Sequence, residues 1–416
     1  MPGITLRTQG PIRKGALRKA NDRLLLDIIR RSPGISRTEL GRLTGSASSS
    51  ITLMINRLVQ AGLLMEEPVK RRRRLGRRPT SLRLASGHIM AVAVDISQSG
   101  PRLALVDLSG KLIRELRLNW HEDTAVLVPR IHSAIRSLLH QSDPAQVLGV
   151  GVSVPGSLDS RTGRVIASVN LDWYDMDLGA ELRGDLALPF HYRNNANLCA
   201  LAEQWFIDPQ EKPLRDFIYV LAIDGLGTGI TVNGHLLQGA SAVGGEFGHT
   251  ILYPDGLKCA CGNHGCWEQY ASEGALIRIY GELSGSSNGD FRGTGTDIVR
   301  LARQGHPPAM QALRQTASDL GLGFLNVISV FDPEAIIVGG YLKEAWDLIE
   351  DQVWQVLRAR APHYALHRLR IFPARHGSDS TVLGAASLVF HHFFTTFDSG
   401  LEAEAPGVPV TMQVTG

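Results

Sequence analysis

Three cysteines and one histidine lie close together in the chain and could bind a metal ion. Cys259, Cys261 and Cys266 fall within eight residues of a glycine-rich segment, and His249 precedes them by ten residues. Three thiolates and one imidazole suit tetrahedral zinc, and a set of four protein ligands leaves no coordination position open. The spacing therefore predicts a structural zinc site.

Two alternatives remain for this segment. His264 lies inside it and could replace His249 as the fourth ligand. The three thiols could also be ordinary buried side chains, but Cys-x-Cys-x4-Cys among glycines is poor core sequence. Cys199 stands apart, on a helix predicted over 196–205, and is expected to serve packing.

The charge of the chain is divided unequally. Residues 1–85 hold 19 Lys or Arg and 5 Asp or Glu, a balance of +14, whereas the remainder holds 24 basic and 35 acidic residues, a balance of −11. This division is typical of a nucleic-acid-binding module attached to an acidic body. A disordered basic tail is the alternative, but periodic apolar residues in the basic segment argue against it.

The periodicity of the basic segment predicts three helices. A first amphipathic helix over 20–31 stops at Ser32-Pro33-Gly34. Ser36, with Glu39 three residues later, forms a capping box that opens a second helix ending near Leu43. After a glycine turn, a third helix is expected over 48–61. Two helices joined by such a turn predict a helix-turn-helix, whose second helix lies in the DNA major groove.

A strand, a basic loop over 68–79 and a second strand follow, and this order predicts a wing. Arginines on a flexible loop suit a narrow minor groove, although a charge run can also be a solvated surface. The hydroxyl side chains of the third helix could equally serve packing or phosphate contact. The candidates for DNA contact are Arg37, Ser48, Ser49, Ser50, Thr52, Asn56, Arg57, Arg73, Arg74, Arg77 and Arg78.

The acidic body repeats one order of elements. The first half is predicted to contain strands over 89–95, 103–107 and 111–116, a helix over 127–139 and a strand over 147–154. The second half is predicted to contain strands over 217–223, 229–232 and 236–237, then helices ending near Val330, and a strand over 335–338. This order predicts an α/β fold of two actin-like, ribonuclease-H-like lobes separated by a cleft. The fold alone does not establish an activity.

Several motifs together resemble the ROK family of bacterial regulators and sugar kinases, over about residues 20–390. The motifs are the wing segment 76–79, Val154-Pro155-Gly156, Asn170-Leu171-Asp172-Trp173, Asn194-Asn195-Ala196-Asn197, Gly245-Glu246-Phe247-Gly248-His249, the segment 259–268, and Asp332-Pro333-Glu334-Ala335 with Gly339-Gly340. The resemblance implies an N-terminal winged helix-turn-helix followed by a sugar-kinase-like domain.

The resemblance also implies a sugar pocket shaped by the zinc. In the family the zinc-bound histidine faces the sugar and two carboxylates hold its hydroxyl groups. Carried onto this sequence, the sugar-binding residues are Gly156, Asn170, Asn194, Asn195, Glu246, His249 and Glu268.

The kinase signature is broken at two places. Active family members carry an aspartate as catalytic base where this chain has Asn195, with Arg193 beside it. A carboxamide cannot take a proton near neutral pH, although it can still hydrogen-bond a hydroxyl. The first phosphate loop of the family, Asp-x-Gly-Gly-Thr, is Asp95-Ile96-Ser97-Gln98-Ser99 here. The glycine loop 225–229 could still hold phosphate, and a tight hairpin explains it equally well. We therefore expect neither ATP binding nor phosphotransfer.

Together these features predict a DNA-binding regulator, acting as a repressor of carbohydrate genes, that binds operator DNA as a homodimer or dimer of dimers and responds to a small sugar. One alternative is an active sugar kinase with an appended DNA-binding domain, and another is control by a phosphotransferase-system protein. The expected domains are a DNA-binding domain over 1–85 and a sensor domain over 86–395, followed by a disordered tail over 396–416. Within the sensor, lobe one is expected over 86–195 plus the C-terminal helix, and lobe two over 196–380. The lack of a long apolar stretch or a secretory signal predicts a cytoplasmic protein.

Overall fold

The computed structural model describes residues 14–68, 80–85, 87, 89–140, 146–207, 211–239, 244–285, 291–362 and 366–395. The chain divides into two compact units, one formed by residues 1–85 with 392–416 and the other by residues 86–391. No helix among the described residues is long and apolar enough to cross a membrane.

The described part of residues 1–85 forms three helices and a two-stranded sheet. The elements are α1 (Lys14–Arg31), α2 (Arg37–Thr44), α3 (Ser48–Gln60), β1 (Leu64–Pro68) and β2 (Thr80–Leu84). β1 and β2 pair antiparallel, as expected for the two strands of a wing. The predicted helices are confirmed, except that α1 begins at Lys14 and not at residue 20.

Local sequence signals explain the first unit. The Ser36 hydroxyl accepts a hydrogen bond from the Glu39 amide, and the Glu39 side chain accepts one from the Ser36 amide, so the capping box is complete. Ile51, Ile55 and Leu58 of α3 are buried at helical spacing. The predicted loop between β1 and β2, with Arg73, Arg74, Arg77 and Arg78, lies outside the described residues.

The second unit begins with lobe one. Its elements are β3 (Met90–Asp95), β4 (Arg102–Asp107), β5 (Leu112–Arg117), α4 (Thr124–His140), β6 (Val147–Val154), β7 (Ser157–Leu158), β8 (Val165–Ser168), β9 (Trp173–Met176), α5 (Leu178–Arg183) and β10 (Phe190–Asn194). The main sheet has the order β10-β6-β3-β4-β5, and β7, β8 and β9 form a smaller sheet. Within the main sheet, β3, β6 and β10 are parallel, whereas β4 is antiparallel to both β3 and β5.

Lobe two repeats this arrangement. It contains α6 (Asn195–Trp205), β11 (Phe217–Ala222), β12 (Leu226–Val232), β13 (His235–Leu236), α7 (Glu268–Ala271), α8 (Glu273–Ser284), α9 (Gly295–Arg303), α10 (Pro307–Phe331), β14 (Ala335–Gly340), α11 (Tyr341–Arg360) and β15 (Arg370–Pro373). Its sheet order, β13-β12-β11-β14-β15, again joins an antiparallel meander to two parallel strands. The predicted duplication of the α/β lobe is confirmed.

The last described helix is α12 (Ser380–Thr395), and its residues within the second unit pack against the sheet of lobe one. A side chain at Gly151 of β6 would overlap the Ala385 carbonyl of this helix, so glycine permits the close approach. The predicted tail over 396–416 lies outside the described residues.

Candidate functional site

A cavity of about 390 Å³ opens between the two lobes of the second unit. This volume lies in the range that small-molecule sites occupy in proteins. All seven residues that the sequence predicts for sugar binding line it, and they come from separate stretches of the chain: Gly156, Asn170, Asn194, Asn195, Glu246, His249 and Glu268. Lobe one supplies the first three of these residues, and lobe two supplies the rest.

The lobe-one side is held by the junction of β10 and α6. Asn194 is the N-cap of α6, and its side-chain oxygen accepts a hydrogen bond from the Ala196 amide at 2.9 Å. Its side-chain nitrogen donates to the Gly156 carbonyl at 3.0 Å. Gly156 has a φ of +92°, and a side chain there would overlap the Ala167 carbonyl, so the turn requires glycine. Asn194 therefore fixes the segment that carries Gly156 against the cavity.

The amide of Asn195 has a defined orientation. Its Oδ1 accepts a hydrogen bond from the Ala196 amide at 2.9 Å, and only an oxygen can accept from that donor. In this orientation the side-chain nitrogen is a hydrogen-bond donor, and the residue is 9% exposed. An amide nitrogen in this position can donate to a hydroxyl oxygen but cannot accept a proton.

Two carboxylates supply the lobe-two side. Glu268 begins α7, and its Oε2 accepts a hydrogen bond from the Leu226 amide at 3.2 Å. Glu246 lines the same cavity, and burial of its carboxyl group raises its pKa. The nearby His249 opposes this rise in pKa, and the charge of Glu268 adds to it. Carboxylates facing one cavity are suited to accept hydrogen bonds from vicinal hydroxyl groups.

The four predicted metal ligands converge beside the cavity. The ligand atoms of His249, Cys259, Cys261 and Cys266 all lie within 4.8 Å of one another. The Sγ atoms of Cys261 and Cys266 are 3.7 Å apart, and His249 Nδ1 is 3.7 Å from Cys259 Sγ. Tetrahedral zinc with bonds of about 2.3 Å to sulfur requires sulfur separations of about 3.8 Å. The group can therefore hold a metal ion, and its geometry fits zinc.

The metal group and the cavity share residues. His249 directs Nδ1 toward Cys259, which leaves Nε2 as its other polar atom, and both His249 and Cys261 line the cavity. Burial raises the pKa of the Cys259 thiol to about 12, an effect that a bound cation would reverse. His264, the alternative ligand, is exposed and does not belong to the group of converging ligand atoms.

A short antiparallel loop positions the thiols. Isolated bridges pair Ile251 with Cys266 and Lys258 with His264, and the Cys259 amide donates to the Asn263 carbonyl at 2.8 Å. Trp267, which follows the last thiol, is fully buried in the lobe-two core. The loop is therefore attached to the core next to Cys266.

The two segments that resemble phosphate loops differ from open glycine loops. Ser97 Oγ lies 2.9 Å from Ser99 Oγ, so side chains occupy the first segment. In the second, residues 226–229 belong to β12, and a side chain at Gly229 would overlap the Ala196 carbonyl of α6. The close packing of this hairpin against α6 is therefore sufficient to explain why the segment contains glycines.

The predicted DNA-contact residues in the first unit fall into two groups. Ser48, Ser49, Ser50 and Thr52 are exposed on α3. Arg37, by contrast, has internal partners, since it donates from Nε to Glu66 at 2.7 Å and from Nη2 to Asn56 Oδ1 at 2.8 Å. Arg57 forms an ion pair with Asp22 of α1. These internal partners, 19 to 35 residues distant in sequence, were not evident from the sequence pattern.

The residues that line the cavity include two polar side chains, Tyr174 and Ser168, that the motifs did not single out. Tyr174 of β9 is 58% exposed. Ser168, at the end of β8, is fully buried, and its hydroxyl has no hydrogen-bond partner among the described residues. Both flank the predicted Asn170, so a search of the residues around that motif would have found them.

Comparison with known proteins agrees with this architecture. Residues 91–392 match the ROK family and residues 18–65 match the winged helix-turn-helix DNA-binding family. The xylose repressor of Bacillus subtilis (strain 168) is 29% identical over 382 residues, covering 91% of this chain and 96% of the repressor.

Two solved structures are also similar. A ROK family transcriptional regulator described as a homologue of the Escherichia coli MLC protein superposes with a TM-score of 0.77 at 25% identity, over 91% of this chain and 97% of that chain. A ROK family glucokinase from Streptomyces griseus, in complex with glucose and AMPPNP, superposes with a TM-score of 0.64 at 30% identity, over 72% of this chain and 98% of that chain. Because the family match extends over both lobes and the cavity between them, this chain belongs to the ROK family.

Proposed function

We propose that this chain is a transcriptional repressor of carbohydrate uptake or catabolism genes, and that a sugar bound in the interlobe cavity controls its affinity for operator DNA. The observation that carries the proposal is the combination, in one chain, of a winged helix and a cavity lined by polar residues from both lobes.

The first unit supports the DNA-binding part. Residues 1–85 carry a balance of +14, which favours binding to a polyanion. Their helices have the order of a helix-turn-helix, and the xylose repressor matches the chain along nearly its whole length. We assign DNA contact to the exposed hydroxyl residues of α3 and to the basic residues between β1 and β2, within a DNA-binding domain over 1–85.

The cavity supports the sensor part, within a domain over 86–395. A ligand that contacts Asn170 in lobe one and Glu246 in lobe two stabilises whichever lobe arrangement brings those residues together. Such a ligand shifts the conformational equilibrium by its difference in affinity for the two arrangements. A homodimer, or a dimer of dimers, would convert this shift into a change in the spacing of two recognition helices on operator half-sites.

The proposed sensor does not phosphorylate its ligand. Asn195 presents an amide nitrogen where a kinase requires a proton acceptor. The likeness to a glucokinase crystallised with glucose keeps an active kinase as the second candidate. ATP-dependent phosphorylation of a hexose by the unmodified protein would establish that candidate and refute the proposal of an inactive domain.

We further propose that zinc is bound by His249, Cys259, Cys261 and Cys266 and has a structural role. When bound, the ion would hold the thiolates of the loop together and fix the imidazole ring through Nδ1, so that Nε2 is directed to the ligand. Glu268, 3.5 Å from Cys259 Sγ, couples the loop to the cavity.

A thermal-shift screen of the zinc-loaded protein against neutral sugars, amino sugars and sugar phosphates, each with and without Mg-ATP, tests the sensor. A sugar that binds only the folded state raises the melting temperature by mass action. The same sugar should change the affinity for operator DNA in a gel-shift titration.

The matched variants are Glu246→Gln and Glu282→Gln. Glu246 lines the cavity, whereas Glu282 pairs with Arg278 on the surface of α8. The first variant should lose the sugar-induced shift and the second should keep it. If no sugar shifts either the melting temperature or DNA binding, a phosphotransferase-system protein becomes the better candidate for the effector.

A further inference from the structure

A large apolar side chain, Leu53, lies on the exposed face of α3. Leu53 is 70% exposed, the highest value among the exposed large hydrophobic residues of the described chain. A single exposed leucine needs no explanation on an ordinary surface. Leu53, however, lies on the helix that a helix-turn-helix inserts into the major groove.

The position of Leu53 on the helix is opposite the core. Ile51 and Ile55 are buried, and each is two residues from Leu53, which corresponds to about 200° around the helix axis. Ser49 and Asn56 lie at helical spacing on the same exposed face. Leu53 is therefore at the centre of the face that would meet a ligand.

The polar neighbours of Leu53 are held by internal hydrogen bonds. The Thr52 hydroxyl donates to the Ser48 carbonyl at 2.8 Å, and Asn56 Oδ1 accepts from Arg37 at 2.8 Å. Arg57 is paired with Asp22. The exposed face thus presents an apolar side chain flanked by small hydroxyls and a restrained amide, with no charged group of α3 directed to it.

This arrangement fits one feature of double-stranded DNA. The 5-methyl group of thymine is the apolar group that base pairs present in the major groove, and apolar side chains contact it. The strongly basic character of residues 1–85 favours DNA as the occupant over an apolar protein surface.

We propose that Leu53 is a specificity-determining residue that packs against the methyl group of a thymine in each operator half-site. The inference rests on the proposed function, because it requires α3 to enter the major groove.

The test begins with in vitro selection of binding sites from randomised duplex DNA by the full-length protein. Each thymine of the selected site is then replaced singly with deoxyuridine, which removes only the methyl group. At one thymine per half-site the replacement should weaken binding about four-fold, the effect of exposing one methyl-sized group to water.

Leu53→Ala should bind the unmodified site less tightly and should be insensitive to deoxyuridine at that thymine, because the two changes remove the same contact. Its salt dependence should be unchanged, since phosphate contacts remain. Leu43→Ala, at a leucine of α2 that is 60% exposed, is the matched control and should keep the sensitivity to deoxyuridine.

Three results would overturn the inference. Tolerance of deoxyuridine at every thymine, or a penalty that persists in Leu53→Ala, would exclude the methyl contact while leaving sequence-specific binding intact. Failure to select any DNA sequence would refute the proposed function and the inference with it.

Discussion

Loss of one thiolate from the metal group should abolish the stabilisation that the proposed zinc ion would give to the second unit. The substitution is Cys266→Ser, because Cys266 is fully buried and its Sγ lies 3.7 Å from that of Cys261. Serine replaces the thiolate with a hydroxyl, a poor zinc ligand at neutral pH. Three ligands then remain, and the loop over 251–265 loses the cross-link that closes it.

The size of the effect follows from mass action. With free zinc at about a thousand times its dissociation constant, binding stabilises the folded state by about 4 kcal/mol. The second unit spans residues 86–391, about 300 residues. An unfolding entropy of about 2.1 cal/mol/K per residue then predicts a shift of about 6 °C in the melting temperature.

The assay compares melting temperatures of each variant with zinc and with a chelator, so that any direct effect of the substitution cancels. The unmodified protein should lose about 6 °C on chelation, and Cys266→Ser should show almost no change. Cys199→Ser is the matched control, because Cys199 is equally buried and lies outside the metal group. Full zinc content and an undiminished chelator shift in Cys266→Ser would refute the assignment of this residue as a ligand.

Three further predictions concern the scaffold. Gly323→Ala should destabilise the protein by about 1–3 kcal/mol in urea unfolding, because the added methyl group would overlap the buried indole of Trp267. Helix propensity alone would predict a gain in stability, and such a gain would contradict this packing. Ser36→Ala should lower the free energy of unfolding of the first unit by about 1 kcal/mol, because the capping box is lost. Helix content followed during heating measures this change, and an unchanged thermal transition would show that the cap contributes nothing. Burial raises the pKa of Asp95, although a hydrogen bond from Thr381 opposes it. Because the folded state then binds more protons than the unfolded state between pH 3.8 and the raised pKa, stability falls as pH rises through that window. Asp95→Asn should lack this fall in pH-dependent unfolding, and identical profiles for the two proteins would refute the explanation.

The helices and strands could be predicted largely because their signals are local. The capping box of Ser36 and Glu39, the helical spacing of Ile51, Ile55 and Leu58, and the duplicated order of strands all operate within a few residues. The spacing of the metal-binding residues along the loop is local as well. The sequence alone could therefore identify the cluster of cysteines before its geometry was known. The error at the start of α1 reflects the weakness of apolar periodicity near a helix end.

Contacts between distant residues could not be predicted in this way. Arg37 and Arg57 were candidates for DNA contact from their charge and position, but the fold pairs them with Glu66 and Asp22. Nothing in the local sequence shows whether an arginine meets a carboxylate from a distant part of the same chain. The choice depends on which helices and strands pack together.

The sequence by itself determined the elements, the charge division and the metal-ligand chemistry, because these depend on residue type and short spacing. The family resemblance predicted one pocket for Asn170, Asn194, Glu246 and Glu268, but residue type and spacing alone did not, and the tertiary structure brings them from two lobes to one cavity. It also decided that Leu53 remains exposed while its polar neighbours are held by hydrogen bonds. Both outcomes depend on packing between elements distant in sequence, whose relative placement is set by burial of the whole core and not by any short pattern.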